Sequence, residues 1–86
     1  MDKNSRAEAY TKAILDQLNA EIGASDYTVK SLAGALEKDY NTFRRWVIGE
    51  KPMPMVVLWA AIDQLGIPQL VFAQRAQDRY ENSAKE

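Results

Sequence analysis

The chain has 86 residues with a net charge of −1, and it contains neither cysteine nor histidine. This length predicts one domain with a modest core. Without cysteine there is no disulfide framework or thiolate metal site, and without histidine the commonest general base and metal ligand are missing. We therefore expect neither an enzyme nor a protein that holds a cofactor or a metal ion.

Apolar side chains at four-residue spacing predict the first helix. They are Tyr10, Ile14, Leu18 and Ile22, joined by Leu15. Ser5 and Glu8 match a capping box, in which each side chain satisfies a backbone N–H group at the helix start, so we expect the helix to begin near Ser5. Gly23 is expected to end it.

Two short helices are predicted between positions 28 and 49. Thr28 and Asp39 are good N-cap residues and are expected to precede the second and third helices. The residues expected to face inward are Val29, Leu32, Ala33 and Leu36 in the second helix, and Phe43, Trp46 and Val47 in the third. Gly49 is expected to end the third helix.

Two further helices complete the predicted all-α, five-helix domain. Pro54 suits the start of the fourth helix and Pro68 the start of the fifth, with Gly66 between them. The predicted apolar stripes are Met55, Leu58, Trp59, Ile62 and Leu65, and then Leu70, Phe72, Ala73, Ala76 and Tyr80. The period-two stretch YTVKSL is too short and isolated to build a sheet. We expect the domain to span residues 1–80, with a loose tail at 81–86.

The second and third helices predict helix-turn-helix geometry. Only three or four residues between Leu36 and Phe43 can be non-helical, so the two helices must cross at a steep angle. With its apolar residues buried, the third helix turns Tyr40, Asn41, Arg44, Arg45 and Ile48 outward. Asn and Arg on such an anchored helix can pair with base edges in the major groove. Residues 28–51 hold five basic and three acidic side chains, whereas the segments on both sides are net negative.

Over roughly residues 10–72 the chain resembles the lambda-repressor-like, Cro/repressor-type helix-turn-helix proteins, also called the XRE family. The resemblance rests on TVKSLAGAL, followed at the family's spacing by NTFRRWVIG, and on QLGI at positions 64–67. It implies a compact five-helix DNA-binding domain in which helices 2 and 3 form the helix-turn-helix. In length the chain looks like a short phage- or prophage-type repressor or a Cro-like protein.

The resemblance also implies which side chains contact DNA. They are Thr28, Lys30, Lys38, Tyr40, Asn41, Thr42, Arg44, Arg45 and Lys51. Those at the start of helix 2 would approach phosphates, Tyr40, Asn41 and Arg44 would face base edges, and Arg45 and Lys51 would flank the backbone. The chain departs from the family at Glu37 and Lys38, where Gly and an apolar residue are frequent. The turn is therefore expected to differ in shape, leaving Lys38 free to meet a phosphate.

Together these features predict a sequence-specific double-stranded DNA-binding transcription regulator. Repression by occupying an operator is the favoured role, because it needs no catalysis. A homodimer on a two-fold site is expected, since one such module covers little DNA. Phe72, Ala76 and Tyr80 are the candidate dimer face, although packing against helix 1 is the competing interpretation.

The main alternative is a helical protein-interaction module that binds a protein partner instead of DNA. The net charge of −1 and an exposed Phe72 and Tyr80 would suit it. The chain has no apolar run long enough to span a bilayer, no signal-peptide pattern and no evident small-molecule site. We therefore expect a cytoplasmic protein, associated with the nucleoid when bound to DNA.

Overall fold

A computed structural model describes the backbone of residues 3–84 and the side chains of residues 4–83. These residues form five helices and no strand, which confirms the all-α prediction: α1 (Lys3–Ala24), α2 (Val29–Ala35), α3 (Tyr40–Val47), α4 (Met55–Gln64) and α5 (Gln69–Ala84). Helix α1 packs along α5 and also contacts α3, α2 packs on α3, and α4 contacts both α2 and α5. The Cα radius of gyration is 12.9 Å, close to the ~12 Å expected for a compact chain of this length.

All five helices contribute to one core. The largest fully buried side chains are Phe43, Phe72, Leu18, Leu32, Ile62 and Val47. Burying each of these side chains stabilises the fold by about 1.5–3 kcal/mol, because it removes apolar surface from water. Two of them belong to α3, so the helix expected to carry the outward polar residues is fixed by its other face.

The starts of α2 and α3 are capped as the sequence predicts. Thr28 Oγ1 accepts a hydrogen bond from the Ser31 N–H at 3.0 Å, and Ser31 Oγ accepts one from the Thr28 N–H at 2.8 Å. This reciprocal pair is a capping box that closes with serine. Asp39 Oδ2 accepts from the Thr42 N–H at 3.0 Å. Pro54 occupies the N-cap position before α4 and offers no side-chain acceptor.

Helices α2, α3 and α4 end in the same way. The residue after each C-cap is left-handed, with φ of 57° at Glu37, 82° at Gly49 and 77° at Gly66. The next amide then donates to a carbonyl five positions back, at 2.9–3.1 Å, in the pairs Lys38–Ala33, Glu50–Arg45 and Ile67–Ile62. This is the Schellman motif, which normally uses glycine. The predicted ends at Gly49 and Gly66 are confirmed, and Glu37 gives the turn after α2 the shape that glycine gives these two ends.

Both outer helices are longer than the sequence predicts. Helix α1 begins at Lys3 and passes Gly23 to end at Ala24, so Ser5 lies inside the helix and the predicted capping box there is wrong. Helix α5 continues to Ala84, and Gln77 Nε2 donates to Glu81 Oε1 at 3.0 Å. The expected loose tail is therefore wrong for residues 81–84, and positions 85–86 lie outside the described residues.

The buried face of α4 differs from the predicted stripe. The inward residues are Val57, Leu58, Ala61 and Ile62, with Leu65 half-buried. Met55 is 64% exposed and Trp59 36% exposed, so their placement in the core is wrong. Every residue from Met55 to Ile62 is apolar, and such a run cannot indicate which face turns inward. Leu70 on α5 is likewise exposed rather than packed.

Candidate nucleic-acid interface

Helix α3 has one buried face and one polar face, as predicted. Phe43 and Val47 are buried, and Trp46 is half-buried against the core. The exposed face carries Tyr40, Asn41, Arg44, Arg45 and, at the C-cap, Ile48. The aromatic and β-branched side chains thus fix the rotation of the helix, and this rotation decides which polar groups reach solvent.

The position of α3 is fixed at both ends. Four residues, 36–39, connect it to α2, and Asp39 caps its first turn. At the other end, Asn19 of α1 donates from Nδ2 to the Val47 carbonyl at 3.1 Å and to the Leu15 carbonyl at 2.9 Å. The last carbonyls of a helix lack intrahelical partners, so this bond satisfies one of them and joins α3 to α1.

Sequence reasoning did not identify Asn19. It lies on the exposed side of α1, and the carbonyl that it contacts is 28 positions away. The only available signal was general: a helix ending beside another helix needs some donor for its free carbonyls. Nothing in the spacing of the chain indicates which side chain supplies it.

The polar side chains of the α3 face have no partners of their own. Within the described part of the chain, Tyr40, Asn41, Arg44 and Arg45 make no side-chain hydrogen bond or ion pair. Lys30, Lys38 and Lys51 are also exposed and unpaired there. An anion could therefore approach any of these cations without first breaking an internal contact.

Lys12, Arg75 and Arg79, elsewhere in the fold, do have partners, although Arg6 has none among the described residues. Lys12 Nζ lies 2.6 Å from Asp16 Oδ2, and Arg75 Nη1 lies 2.7 Å from Glu21 Oε2. The Glu21 side chain is only 10% exposed, so this second pair ties α1 to α5. The contrast indicates two uses of positive charge in one chain: structural on α5, and free between positions 28 and 51.

The loop after α3 holds Lys51 beside the helix. Its backbone N–H donates to the Arg45 carbonyl at 3.3 Å, next to the Schellman bond from Glu50 to the same carbonyl. Gly49 supplies the left-handed turn that lets the chain fold back in this way. Lys51 is thus near the C-terminal end of the polar face of α3.

The two threonines in the predicted DNA-binding set already take part in the hydrogen bonds that cap α2 and α3. Thr28 Oγ1 accepts from the Ser31 N–H, and Thr42 Oγ1 donates to Asp39 Oδ2 at 3.2 Å. Both residues remain exposed. Their hydroxyl groups therefore have a structural role in addition to any contact they make with a ligand.

The predicted dimer face on α5 is wrong, because its residues are packed inside the protomer. Phe72 is 2% exposed and Ala76 1% exposed, so neither has surface to offer a second copy. Tyr80 is half-buried and its ring centroid lies 5.2 Å from that of Tyr10, at an interplanar angle of 53°. The competing interpretation, packing against helix 1, is confirmed for Tyr80.

The described part of the chain holds neither a metal-binding cluster nor a single helix suited to cross a membrane. The described residues contain no group of three or more acidic, cysteine or histidine side chains that could hold a metal ion. Among them, no single helix combines the length and hydropathy needed to cross a bilayer. Helices α4 and α5 meet both criteria only as a pair, and that pair is bent by 109°.

Comparison with known protein families, with curated proteins and with solved structures found no match for this chain. The candidate site is therefore defined by its own side chains. It consists of the outward face of α3, the turn before it and the loop after it.

Proposed function

We propose that the protein binds double-stranded DNA sequence-specifically and regulates transcription, as a repressor that occupies an operator. In this proposal α2 and α3 act as a helix-turn-helix, with α3 in the major groove. The observation that carries the proposal is the outward row of Asn41, Arg44 and Arg45 on a helix whose other face is locked by Phe43 and Val47.

The side chains of this region suit two different tasks. Asn pairs bidentately with adenine and Arg with guanine, so Asn41 and Arg44 would read bases, with Tyr40 beside them. Lys30, Lys38, Arg45 and Lys51 would contact phosphates, which fix orientation but carry no sequence information. Both tasks are supported by the fact that these side chains form no internal ion pairs.

The charge distribution favours a local interface over a generally basic protein. The whole chain has a net charge of −1, whereas residues 28–51 hold five basic and three acidic side chains. A positive region on a slightly acidic protein directs DNA to that region. We expect weak non-specific binding and affinity that depends on correct base contacts.

A second copy would be required for tight binding. One module of this kind buries about 600–1,000 Å² on DNA, whereas dimers cover two half-sites about one helical turn apart. We therefore propose a homodimer on a two-fold operator. Such a protein would act in the cytoplasm, on the nucleoid when bound to DNA.

Selection of bound sequences from a random DNA pool, followed by footprinting, tests this proposal. A two-fold motif is expected.

Two variants then separate base recognition from phosphate contact. Arg44→Ala should relax the preference at one base pair, a discrimination of about 1–3 kcal/mol. Lys51→Ala should weaken all sequences alike and lower the salt slope by about one unit. An unenriched pool, or Arg44→Ala with every base preference intact, would contradict the proposal.

The alternative is a module that binds a protein partner. Its original support from Phe72 is lost because that side chain is buried, but the exposed apolar side of α4 with Met55, Val56 and Trp59 favours it independently. Salt dependence distinguishes the two functions. DNA binding should weaken steeply as salt rises, because counterions are released on binding, whereas apolar docking should hardly change.

A further inference from the structure

A groove lies between α1, the start of α4 and the loop that joins α3 to α4. Its volume is about 520 Å³, within the range of roughly 300–1,000 Å³ that is usual for small-molecule sites. Most of its lining is apolar, and the side chains involved include Ile14, Leu15, Met53, Met55 and Leu58. The groove therefore offers an apolar surface that is enclosed by three different parts of the chain.

We propose that this groove binds a linear aliphatic carboxylate, and that the bound molecule weakens the contact of the protein with DNA. The carboxylate lies at Lys51, and the aliphatic chain lies along α1 and α4. The ligand site stands on the fold alone. Its regulatory effect rests on the proposed function, since that effect acts through the phosphate contact of Lys51.

The loop after α3 supplies the charges of the groove. Glu50 and Lys51 are the two charged residues in its lining, and both are exposed without an ion pair in the described part of the chain. The surrounding segment favours an anion, because residues 28–51 hold five basic and three acidic side chains. Lys51 is then the partner of the ligand carboxylate, and Glu50 is the group that opposes it.

A second, smaller cavity of about 190 Å³ continues the groove. It shares Ile14, Met55 and Leu58 with the first cavity, but its lining includes no residue of the loop and no charged side chain. A cation at one end and an uncharged cavity beyond the shared residues fit a molecule with one anionic group and an unbranched chain. A compact anion would leave the second cavity empty, and a wholly apolar molecule would leave Lys51 without a partner.

Two methionines suit the groove to a flexible chain. Met53 belongs to the loop and is half-buried, and Met55 belongs to α4 and is 64% exposed. Methionine is unbranched and polarizable, so it packs against ligands of irregular shape. Because neither side chain is fully buried, both can adjust to a ligand without opening the core.

The same loop joins the groove to the polar face of α3. Gly49, which follows the C-cap of α3, lies so near α1 that an added Cβ atom would be 3.4 Å from Leu15 Cδ1. The backbone N–H of Lys51 donates to the Arg45 carbonyl at 3.3 Å. A ligand carboxylate at Lys51 would occupy the cation that a DNA phosphate needs. Ligand and operator would therefore weaken each other's binding by the same factor.

Met55→Glu and Val56→Glu form a matched pair of variants. Met55 lines both cavities, whereas Val56 lines neither and is 74% exposed. Both substitutions add a carboxylate to the first turn of α4, where the helix dipole favours negative charge, so both variants should fold. Only Met55→Glu places that charge against the ligand.

A two-dimensional ¹H–¹⁵N NMR titration of the full chain with decanoate, below its micelle-forming concentration, tests the site. We expect a Kd of about 0.3–3 mM, from the usual binding energy per ligand atom. The largest shifts should fall at residues 49–53 and around Ile14. Octanoate should bind roughly tenfold more weakly, because it buries two fewer CH₂ groups. Decylammonium should bind at least about threefold more weakly than decanoate, because Lys51 repels it.

The variants separate the charge contact from the apolar contact. Lys51→Gln should weaken decanoate binding about two- to fivefold, the range of one exposed ion pair, and Glu50→Gln should tighten it by a similar factor. Met55→Glu should weaken it roughly tenfold, and Val56→Glu should leave it unchanged. Saturating decanoate should weaken operator binding about two- to fivefold in the wild type and should have no effect on Lys51→Gln.

Three results would overturn the site: no shifts at about 10 mM decanoate (roughly threefold above the expected Kd), tighter binding of decylammonium than of decanoate, or equal effects of Met55→Glu and Val56→Glu. Bound decanoate that leaves operator affinity unchanged would overturn the regulatory effect. A chain that binds decanoate but enriches no DNA sequence would overturn the proposed function alone. A chain that binds a selected operator but not decanoate would overturn this inference alone.

Discussion

Replacing Glu37 by glycine should stabilise the protein. Glu37 is the one residue other than glycine among the described residues with a positive φ, at 57°. Its backbone closes the same hydrogen-bonded motif that Gly49 and Gly66 close after α3 and α4. Glutamate is therefore held in a conformation that its Cβ atom disfavours, at the turn that orients α3.

Three effects determine the expected gain in the free energy of unfolding, of which two stabilise the variant and one destabilises it. Relief of the left-handed conformation contributes about 1–2 kcal/mol. The greater freedom of glycine in the unfolded chain offsets about 0.4–1 kcal/mol of this. Removing a carboxylate from the C-terminal end of α2 adds about 0.3–1 kcal/mol, because the helix dipole disfavours negative charge there. The net free energy of unfolding should rise by about 1 kcal/mol, equivalent to a Tm increase of roughly 4–8 °C for a domain of this size.

Urea denaturation followed by far-UV circular dichroism measures the change, with three control variants. Glu37→Gln removes the charge but keeps the strain. Gly66→Ala adds the strain elsewhere, at φ 77° and with no atom within 4 Å of the new methyl group; it should lose roughly 0.5–1 kcal/mol. Gly34→Ala adds a methyl group inside α2, also without neighbours within 4 Å, and should gain about 0.5–1 kcal/mol.

The comparison between the two Glu37 variants decides the result. If Glu37→Gly is no more stable than Glu37→Gln, the gain is electrostatic and the turn stores no strain. If Gly66→Ala is also neutral, the left-handed helix ends do not constrain this fold, and there is no strain at Glu37 for glycine to relieve.

Three further changes test the packing around α3 and α5. Phe43→Ala should lower the free energy of unfolding by about 3–5 kcal/mol in urea titration, more than Trp46→Ala, because Trp46 is only half-buried; the reverse order would contradict the core described above. Asn19→Ala should cost about 1 kcal/mol and speed amide hydrogen exchange at the C-terminal end of α3 more than at its start; uniform protection would show that the bond to α1 does not hold the helix. A double-mutant cycle with leucine at Tyr10 and Tyr80 should give a coupling of about 0.5–1.5 kcal/mol, and a coupling near zero would show that the two rings do not interact.

The sequence predicts α3 well and α4 poorly, and the difference has a physical cause. In α3, polar and apolar residues alternate at helical spacing, so burying Phe43 and Val47 determines where Arg44 points. In α4 the first eight residues are all apolar, so burying Leu58 is compatible with more than one rotation of the helix. The surfaces of α2 and α5 determine which rotation α4 adopts. The spacing of apolar residues along the sequence gives no information about these surfaces. The unexpected exposure of Trp59 is the result.

The sequence also did not predict the long-range polar contacts or the continuation of α5. Asn19 finds a carbonyl 28 residues away only because α1 and α3 are adjacent in the fold. The extra turn of α5 forms because no glycine or proline follows Pro68 and because Gln77 and Glu81 bond one turn apart. The polar composition of residues 81–84 indicates exposure, but it does not oppose a helix.

The packing of α1 against α5 has a consequence for synthesis. Arg75 and Arg79 bond to Glu21 and Gln17 across 54 and 62 positions. On the ribosome, at about 5–20 residues per second, a gap of 54 residues means that α1 waits roughly 3–11 s for its partner. Throughout that time the side of α1 that packs on α5 has no partner, so a trigger for aggregation or chaperone binding exists in every nascent chain. Faster decoding of the codons for α4 and α5 would shorten this exposure without altering a single side chain.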